Sequence, residues 1–185
     1  MKNFPLTAAI FEASLVPAAI VLGWLLGTPP LQTLHVNTTA ALLGVAATVP
    51  LLAVFWLCLK CPLRPFREIA EIVEKTLMPL FRECRILELA VIAAMAGLGE
   101  EMLFRGVLQA AVAKEIAGPS GVWLGLVAAS VLFGLVHSIT PLYALLAGLI
   151  SLYLGWIWLA SGNLLLPIIA HGLYDFLVLW YLRRK

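Results

Sequence analysis

The sequence predicts an all-α fold, a polytopic transmembrane helical bundle of about six spans with one amphipathic helix in the membrane interface. Of its 185 residues, 63% are hydrophobic and 12% are charged, which is more apolar surface than a soluble domain of this size can bury. Several nearly uncharged stretches approach the ~20 residues that a membrane-spanning helix needs. No polar linker divides the chain, so we expect a single membrane domain over residues 1–185, surrounded by membrane lipid.

Two spans are predicted in the N-terminal part of the chain, residues 1–60, at 6–26 and 38–59. The first has an apolar run too long for the hydrophobic region of a signal peptide, and no small-x-small cleavage site follows it. We therefore expect this span to be retained as a helix. Glu12 lies well inside it, and we interpret this acid as a partly hydrated or interface-facing carboxylate.

The segment 61–85 connects these spans to the rest of the chain and has two different helical faces. This pattern predicts an amphipathic helix in the cytoplasmic interface of the membrane, with an arm of a helical hairpin as the alternative. The apolar face consists of Phe66, Ile69, Ile72, Val73, Leu77, Leu80 and Phe81. The charged positions are Arg67, Glu68, Glu71, Glu74, Lys75, Arg82 and Glu83.

Four further spans are predicted within residues 86–182 and would form a four-helix core. Their apolar runs are interrupted only by short turns. They lie at 86–112, 121–138, 141–160 and 164–182.

The distribution of basic residues predicts the orientation. Six of the twelve Lys and Arg residues lie between Lys60 and Arg85, and further basic residues are Lys2 and the C-terminal run 183–185. With six spans, the positive-inside rule places these regions and both termini in the cytoplasm. We expect a multi-pass protein of the plasma membrane. No basic stripe interleaved with aromatic residues is present, so nucleic acid is not an expected partner.

Ionisable side chains stand inside three of the four core spans, where each costs several kcal/mol unless it is paired or hydrated. A single buried polar group often serves only to fix helix register, but this density indicates a functional site. The residues are Glu100, Glu101 and Arg105 in the third span, His137 at the end of the fourth, and His171 and Asp175 in the sixth.

Their spacing indicates which side chains can pair. Glu101 and Arg105 are four residues apart on one helix and can form an ion pair, as can His171 and Asp175. Glu100 points about 100° away from Glu101 and is free to face another helix.

These residue types are suited to peptide hydrolysis, which needs an activated water, a proton donor and a stabiliser for the oxyanion. A Glu and a His on neighbouring helices can hold and deprotonate water, and a second His can donate to the oxyanion. The chain has neither the G-x-S-x-G pattern of serine hydrolases nor the H-E-x-x-H pattern of zinc proteases.

Three motifs occur in order: Glu100-Glu101-x-x-x-Arg105, Phe133-x-x-x-His137 and His171-x-x-x-Asp175. Their order, spacing and membrane setting resemble those of the CAAX protease and bacteriocin-processing family, also called Abi, which includes the prenyl-protein endopeptidases that trim CAAX termini. The resembling region runs from about Leu87 to Leu182, so 86–182 is the expected catalytic core. The resemblance implies a glutamate-type intramembrane protease, with no cofactor or metal, that cleaves a lipidated or membrane-anchored peptide or protein.

The resemblance also implies individual roles. Glu100 and His137 would activate water, whereas Glu101, Arg105 and Phe133 would support this pair. His171 and the residue at position 175 would form the oxyanion site. Many members of the family have Asn at that position, and an ionised Asp175 cannot donate a hydrogen bond as Asn does. We therefore assign Asp175 to positioning and charging His171.

Counting along straight helices separates these residues in depth. At about 1.5 Å per residue, Glu100 lies roughly 20 Å from Arg85 on the cytoplasmic side. The same count puts His137 near the cytoplasmic end of its span and His171 roughly 12 Å from the opposite face. A tilted third span or a water-filled cavity would be needed to bring them together.

Three alternatives remain open from the sequence. The four residues Glu100, His137, His171 and Asp175 are chemically suitable ligands for zinc in a metal-dependent membrane protease. An aspartyl-type dyad is a poorer alternative because it would leave both histidines without a role. The chain would instead be a non-catalytic immunity protein or proton-linked carrier if its buried acids and histidines form a proton relay.

Overall fold

A computed structural model describes residues 3–116 and 118–184, and this part of the chain forms helices joined by short turns, without a strand. The helices are α1 (Phe4–Leu26), α2 (Thr38–Lys60), α3 (Arg64–Ile72), α4 (Met78–Phe81), α5 (Ile86–Glu101), α6 (Ala110–Glu115), α7 (Pro119–Val136), α8 (Pro141–Ser161) and α9 (Leu165–Arg183). A 3₁₀ turn covers Pro30–Thr33, and π-helices cover Val73–Leu77 and Met102–Gln109. The predicted all-α bundle is confirmed.

Five of the described helices are long and apolar enough to cross a membrane: α1, α2, α7, α8 and α9. Their outward faces carry large apolar side chains such as Trp24 and Leu57, which are 77% and 70% exposed and suit contact with lipid. The protein is therefore an integral membrane protein. The predicted third span, 86–112, differs from the other five because α5, the second π-helix and α6 follow one another over residues 86–115. It is helical throughout, but it is not a single α-helix.

The amphipathic segment 61–85 is also divided, into α3, the first π-helix and α4. Its charged residues form exposed pairs along α3, with 2.8 Å between Arg64 Nε and Glu68 Oε1. Pro79 lies just after the end of the π-helix, and a proline has no N–H to bond the carbonyl of Lys75, four residues earlier. The missing hydrogen bond gives a physical reason for the irregular backbone at this point.

The described ends of the chain lie at the same end of the bundle. The ring of Phe4 at the start of α1 packs edge-on against Phe81, with 5.0 Å between ring centroids, and Arg183 at the end of α9 interacts electrostatically with Cys84. Lys2 and Lys185, on which the predicted orientation partly depends, lie outside the described residues. The cytoplasmic placement of both termini and the choice of the plasma membrane stay predictions.

Glycines allow α5 to sit at the centre of the bundle in close contact with α1 and α9. A Cβ atom at Gly97 would lie 2.7 Å from the backbone nitrogen of Gly172 and 2.8 Å from the carbonyl oxygen of Ile168. At Gly99 it would lie 2.6 Å from the carbonyl oxygen of Glu12. Because all three contacts are with backbone atoms, the positions of α1 and α9 depend on these glycines.

We expect Gly97→Ala to lower the free energy of unfolding by about 3 kcal/mol, because the backbone of α9 must move away to accept the methyl group. Gly148→Ala is the matched control, since its nearest neighbour, the carbonyl oxygen of Ser130, is 3.3 Å from the added atom. Unfolding of both variants in detergent measures the difference. Equal stability of the two variants would contradict the tight crossing of α5 and α9.

Candidate active site

Glu100 and His137 face each other between α5 and the end of α7. Glu100 Oε2 lies 3.8 Å from His137 Nε2, too far for a direct hydrogen bond. His137 Nδ1 lies 2.9 Å from the carbonyl oxygen of Phe133. That oxygen can only accept, so Nδ1 carries a proton, and in the neutral imidazole Nε2 presents its lone pair to Glu100. Two acceptors thus face one point, and a single water molecule there can donate one O–H to each.

Aromatic packing holds the His137 ring in this orientation. The ring of Phe133 stacks on it, with 4.3 Å between centroids and 19° between planes. Phe104 in turn packs edge-on against Phe133, with 4.9 Å between the ring centroids. Both phenylalanines are buried, so rotation of the imidazole would require the surrounding rings to move.

Glu101 is the centre of a second network, which joins three helical stretches. Its Oε2 atom lies 3.0 Å from Arg105 Nε, and its Oε1 atom lies 2.8 Å from His171 Nδ1. Arg105 in turn donates from Nη2 to the carbonyl oxygen of Ser151 at 2.9 Å and to the Ser151 hydroxyl at 3.0 Å. The resemblance implies that Glu101 and Arg105 support the water-binding pair, whereas the contacts observed here orient His171.

His171 is held between two carboxylates. Its Nδ1 atom faces Glu101, and its Nε2 atom lies 3.4 Å from Asp175 Oδ2, one turn later on α9. Each nitrogen can donate to the oxygen that it faces, which requires a proton on both. The side chain of His171 is 7% exposed and that of Asp175 is 30% exposed, so Asp175 lies at the open side of the network.

The structure brings all of the sequence-predicted residues into one cluster, including the two histidines, whose rings both contact Phe133. The centroid of the Phe133 ring is 6.1 Å from that of His171. The expected separation in depth does not occur because α7 pairs with the C-terminal half of the third helical stretch, from Gly121 beside Ala113 to Phe133 beside Phe104. His137, at the end of α7, therefore lies at the level of Glu100 along the bundle.

The second π-helix begins directly after Glu101 and contains Arg105. π-Helical turns are rare and occur frequently at functional sites. This π-helix packs closely against the 3₁₀ turn, since a Cβ atom at Gly106 would lie 2.5 Å from Pro30 Cβ. Nothing in the hydrophobic pattern of the sequence distinguishes this stretch from an α-helix.

Glu12, which its place in an apolar span predicts to be partly hydrated or interface-facing, is a further acid at this cluster. Its Oε2 atom is buried and has no hydrogen-bond partner among residues 3–116 and 118–184, and its carboxylate interacts electrostatically with Asp175 and His171. The close crossing of α1 over Gly99 positions it. The signal in the sequence was its place as an acid inside an apolar span.

Among residues 3–116 and 118–184, no group of three or more His, Cys, Asp and Glu side chains is arranged to hold one metal ion. Glu100 and His137 form one pair, and His171 is already enclosed by Glu101 and Asp175. The geometry thus offers acceptors for a water and charged groups around one imidazole.

Comparison with known proteins adds a family assignment. A family model described as Type II CAAX prenyl endopeptidase Rce1-like matches residues 82–177, just over half of the 185-residue chain. The matched region includes the whole cluster except Glu12. Neither a curated protein nor a solved structure matches the chain.

Proposed function

Because the chain belongs to the Rce1-like family of type II CAAX prenyl endopeptidases, as its motifs predicted, we propose that it is a glutamate-type intramembrane endopeptidase. Family membership points to a protease that acts on peptide substrates. The proposal adds that the attacking water binds between Glu100 and His137. The main observation in support of this water site is that two acceptors, Glu100 Oε2 and His137 Nε2, lie 3.8 Å apart.

In the proposed reaction, the water oxygen attacks the carbonyl carbon of the scissile peptide bond. One water proton passes to the Glu100 carboxylate, and the carbonyl π electrons move to the carbonyl oxygen. When this tetrahedral intermediate collapses, the C–N bond breaks and Glu100 returns the proton to the leaving nitrogen. His137 holds the water through Nε2 during the attack.

His171 supplies positive charge near the oxyanion in this proposal. Contacts with Glu101 and Asp175 hold its ring on both sides, and the Glu101–Arg105 pair fixes the first of these carboxylates. Such preorganised charge stabilises developing negative charge without reorganisation during the reaction.

The proposed substrate is a peptide bond near the C-terminus of a lipidated or membrane-anchored protein. The lipid environment of the bundle and the family support this class. The test uses the purified protein in lipid vesicles with a fluorogenic, prenylated peptide that ends in a CAAX sequence. We expect release of the C-terminal tripeptide, identified by mass spectrometry. Failure to cleave this peptide, or any other peptide with a prenylated cysteine near its free C-terminus, would contradict the substrate class.

Metal removal in the same assay distinguishes the proposed mechanism from the zinc-dependent alternative. We expect that a strong chelator changes the cleavage rate by no more than about twofold, because the proposed nucleophile is held by Glu100 and His137 alone. Metal analysis of the purified protein accompanies the assay. Loss of activity on chelation with recovery on added Zn²⁺ would favour the metal-dependent mechanism.

A further inference from the structure

One face of α8 points at the cluster, and its residues lie one turn apart. Ser151 accepts the hydrogen bonds of Arg105, and Ala147, four residues earlier, packs against Phe104 and Phe133. Tyr143 is four residues earlier again, so it lies on the same face. The third helical stretch and α8 run in the same direction, since Arg105 contacts Ser151 and Gln109 contacts Gly155. Tyr143 therefore lies at the level of the residues before Phe104.

Close packing of α7 and α8 fixes the place of Tyr143. A Cβ atom at Gly134 would lie 2.5 Å from the carbonyl oxygen of Ala144, so the first turn of α8 lies against the last turn of α7. The Thr140 hydroxyl caps the helix at this point by accepting from the Tyr143 backbone N–H at 3.1 Å. Tyr143 is thus held beside the end of α7 that carries His137.

The hydroxyl of Tyr143 lies near enough to the cluster to interact electrostatically with Asp175 and Glu100. No hydrogen bond of this hydroxyl occurs within the described part of the chain. A phenol can donate one hydrogen bond, and this one is available to a bound substrate.

Within the described part of the chain, the charged and imidazole side chains of the cluster offer no free donor to an oxyanion. The Nδ1 proton of His137 is used by the Phe133 carbonyl, and both nitrogens of His171 face carboxylates. The carboxylates of Glu100 and Asp175 only accept when ionised. Arg105 Nη1 has no partner among the described residues, but the Arg105 side chain is 1% exposed and cannot reach substrate.

We propose that the Tyr143 hydroxyl donates the hydrogen bond that stabilises the oxyanion, in the place of the donor that Asp175 cannot provide. The hydroxyl keeps its proton throughout and makes a stronger hydrogen bond as negative charge develops on the carbonyl oxygen. This inference rests on the proposed function and adds a catalytic residue from α8, outside the three motifs.

Tyr143→Phe tests the inference because it removes one oxygen atom and leaves the ring. We expect kcat for the prenylated CAAX peptide to fall about 100-fold, with KM within about threefold of the wild-type value. Tyr153→Phe is the matched control on the same helix, since that hydroxyl donates to the Ala47 carbonyl at 3.1 Å, away from the cluster. We expect its kcat to stay within about twofold of wild type.

A double-mutant cycle with Asp175→Asn separates a lost donor from a structural effect. Asn at this position has an N–H group that can replace the missing hydroxyl, so Tyr143→Phe should cost less than about tenfold in kcat in the Asp175→Asn background. The melting temperature of each variant is measured in parallel. An undiminished cost of Tyr143→Phe in that background would overturn the inference, even if the single variant is unstable.

The outcomes also distinguish this inference from the proposed function. If wild type and Tyr153→Phe cleave the peptide, Glu100→Gln does not, and Tyr143→Phe retains kcat within about threefold of wild type, the oxyanion role of Tyr143 is wrong while the protease assignment stands. If wild type fails to cleave, the proposed function fails and the inference fails with it.

Discussion

Glu100→Gln is expected to reduce kcat by about 1,000-fold while the protein stays folded and inserted in the membrane. The amide has the size of the carboxylate but cannot take a proton from water. Its NH₂ group can also replace the acceptor that Glu100 Oε2 presents to the water, 3.8 Å from His137 Nε2. Cleavage of the prenylated CAAX peptide and thermal unfolding in detergent measure the two effects.

Glu88→Gln is the control for this substitution. Glu88 lies three turns earlier on α5, where its Oε2 atom accepts from the backbone N–H of Arg85 at 2.6 Å, and a Gln oxygen can do the same. We expect full activity in this variant. Cleavage by Glu100→Gln within about tenfold of wild type would remove Glu100 from the proposed mechanism.

Glu101→Ala should reduce both stability and activity. Arg105 would lose its carboxylate partner while its side chain stays 1% exposed, and His171 would lose the contact at 2.8 Å. Removal of one partner from a buried ion pair typically costs about 3–5 kcal/mol. We therefore expect a large fall in melting temperature in detergent, together with loss of cleavage because His171 is no longer held.

An exposed Glu–Arg ion pair on α3 is the control for the buried pair of Glu101 and Arg105. Glu68 and Arg64 are also a Glu–Arg pair four residues apart, but their side chains are 51% and 85% exposed, and exposed pairs contribute little. Glu68→Ala should unfold close to the wild-type temperature. If Glu101→Ala melts as Glu68→Ala does, the burial of the Glu101 network is wrong.

Composition and hydropathy predicted the polytopic helical bundle because a chain this apolar has few other ways to satisfy its backbone in lipid. The form of the third span was not predictable in this way. The π-helix after Glu101 has no pattern of its own in the sequence, and it coincides with tertiary contacts such as Gly106 against Pro30.

Within the candidate site, pairs on one helix were predictable and pairs between helices were not. Spacing along the chain places Glu101 beside Arg105 and His171 beside Asp175, and the structure has both contacts. The shorter contact of Glu101 with His171 depends on the crossing of α5 and α9. Sequence spacing gives no information about that crossing. The catalytic roles of these residues stay predictions.

Residues outside the motifs were the hardest to find. Tyr143 has no signal in the sequence that separates it from other tyrosines in apolar helices. Its position depends on the contact of Gly134 with the first turn of α8. Glu12 did carry a signal, as an acid in an apolar span, but one acid alone does not indicate which helix it faces.

The most direct test of the central claim compares the peptides of membranes from cells that express wild type, Glu100→Gln or Glu88→Gln. This measurement covers every membrane protein at once, so it does not depend on the choice of a substrate. The proposed function predicts that one or more membrane proteins acquire a new terminus with wild type and with Glu88→Gln, and that these termini disappear with Glu100→Gln. Identical termini in all three membranes, at equal amounts of the three proteins, would contradict peptide hydrolysis at this site.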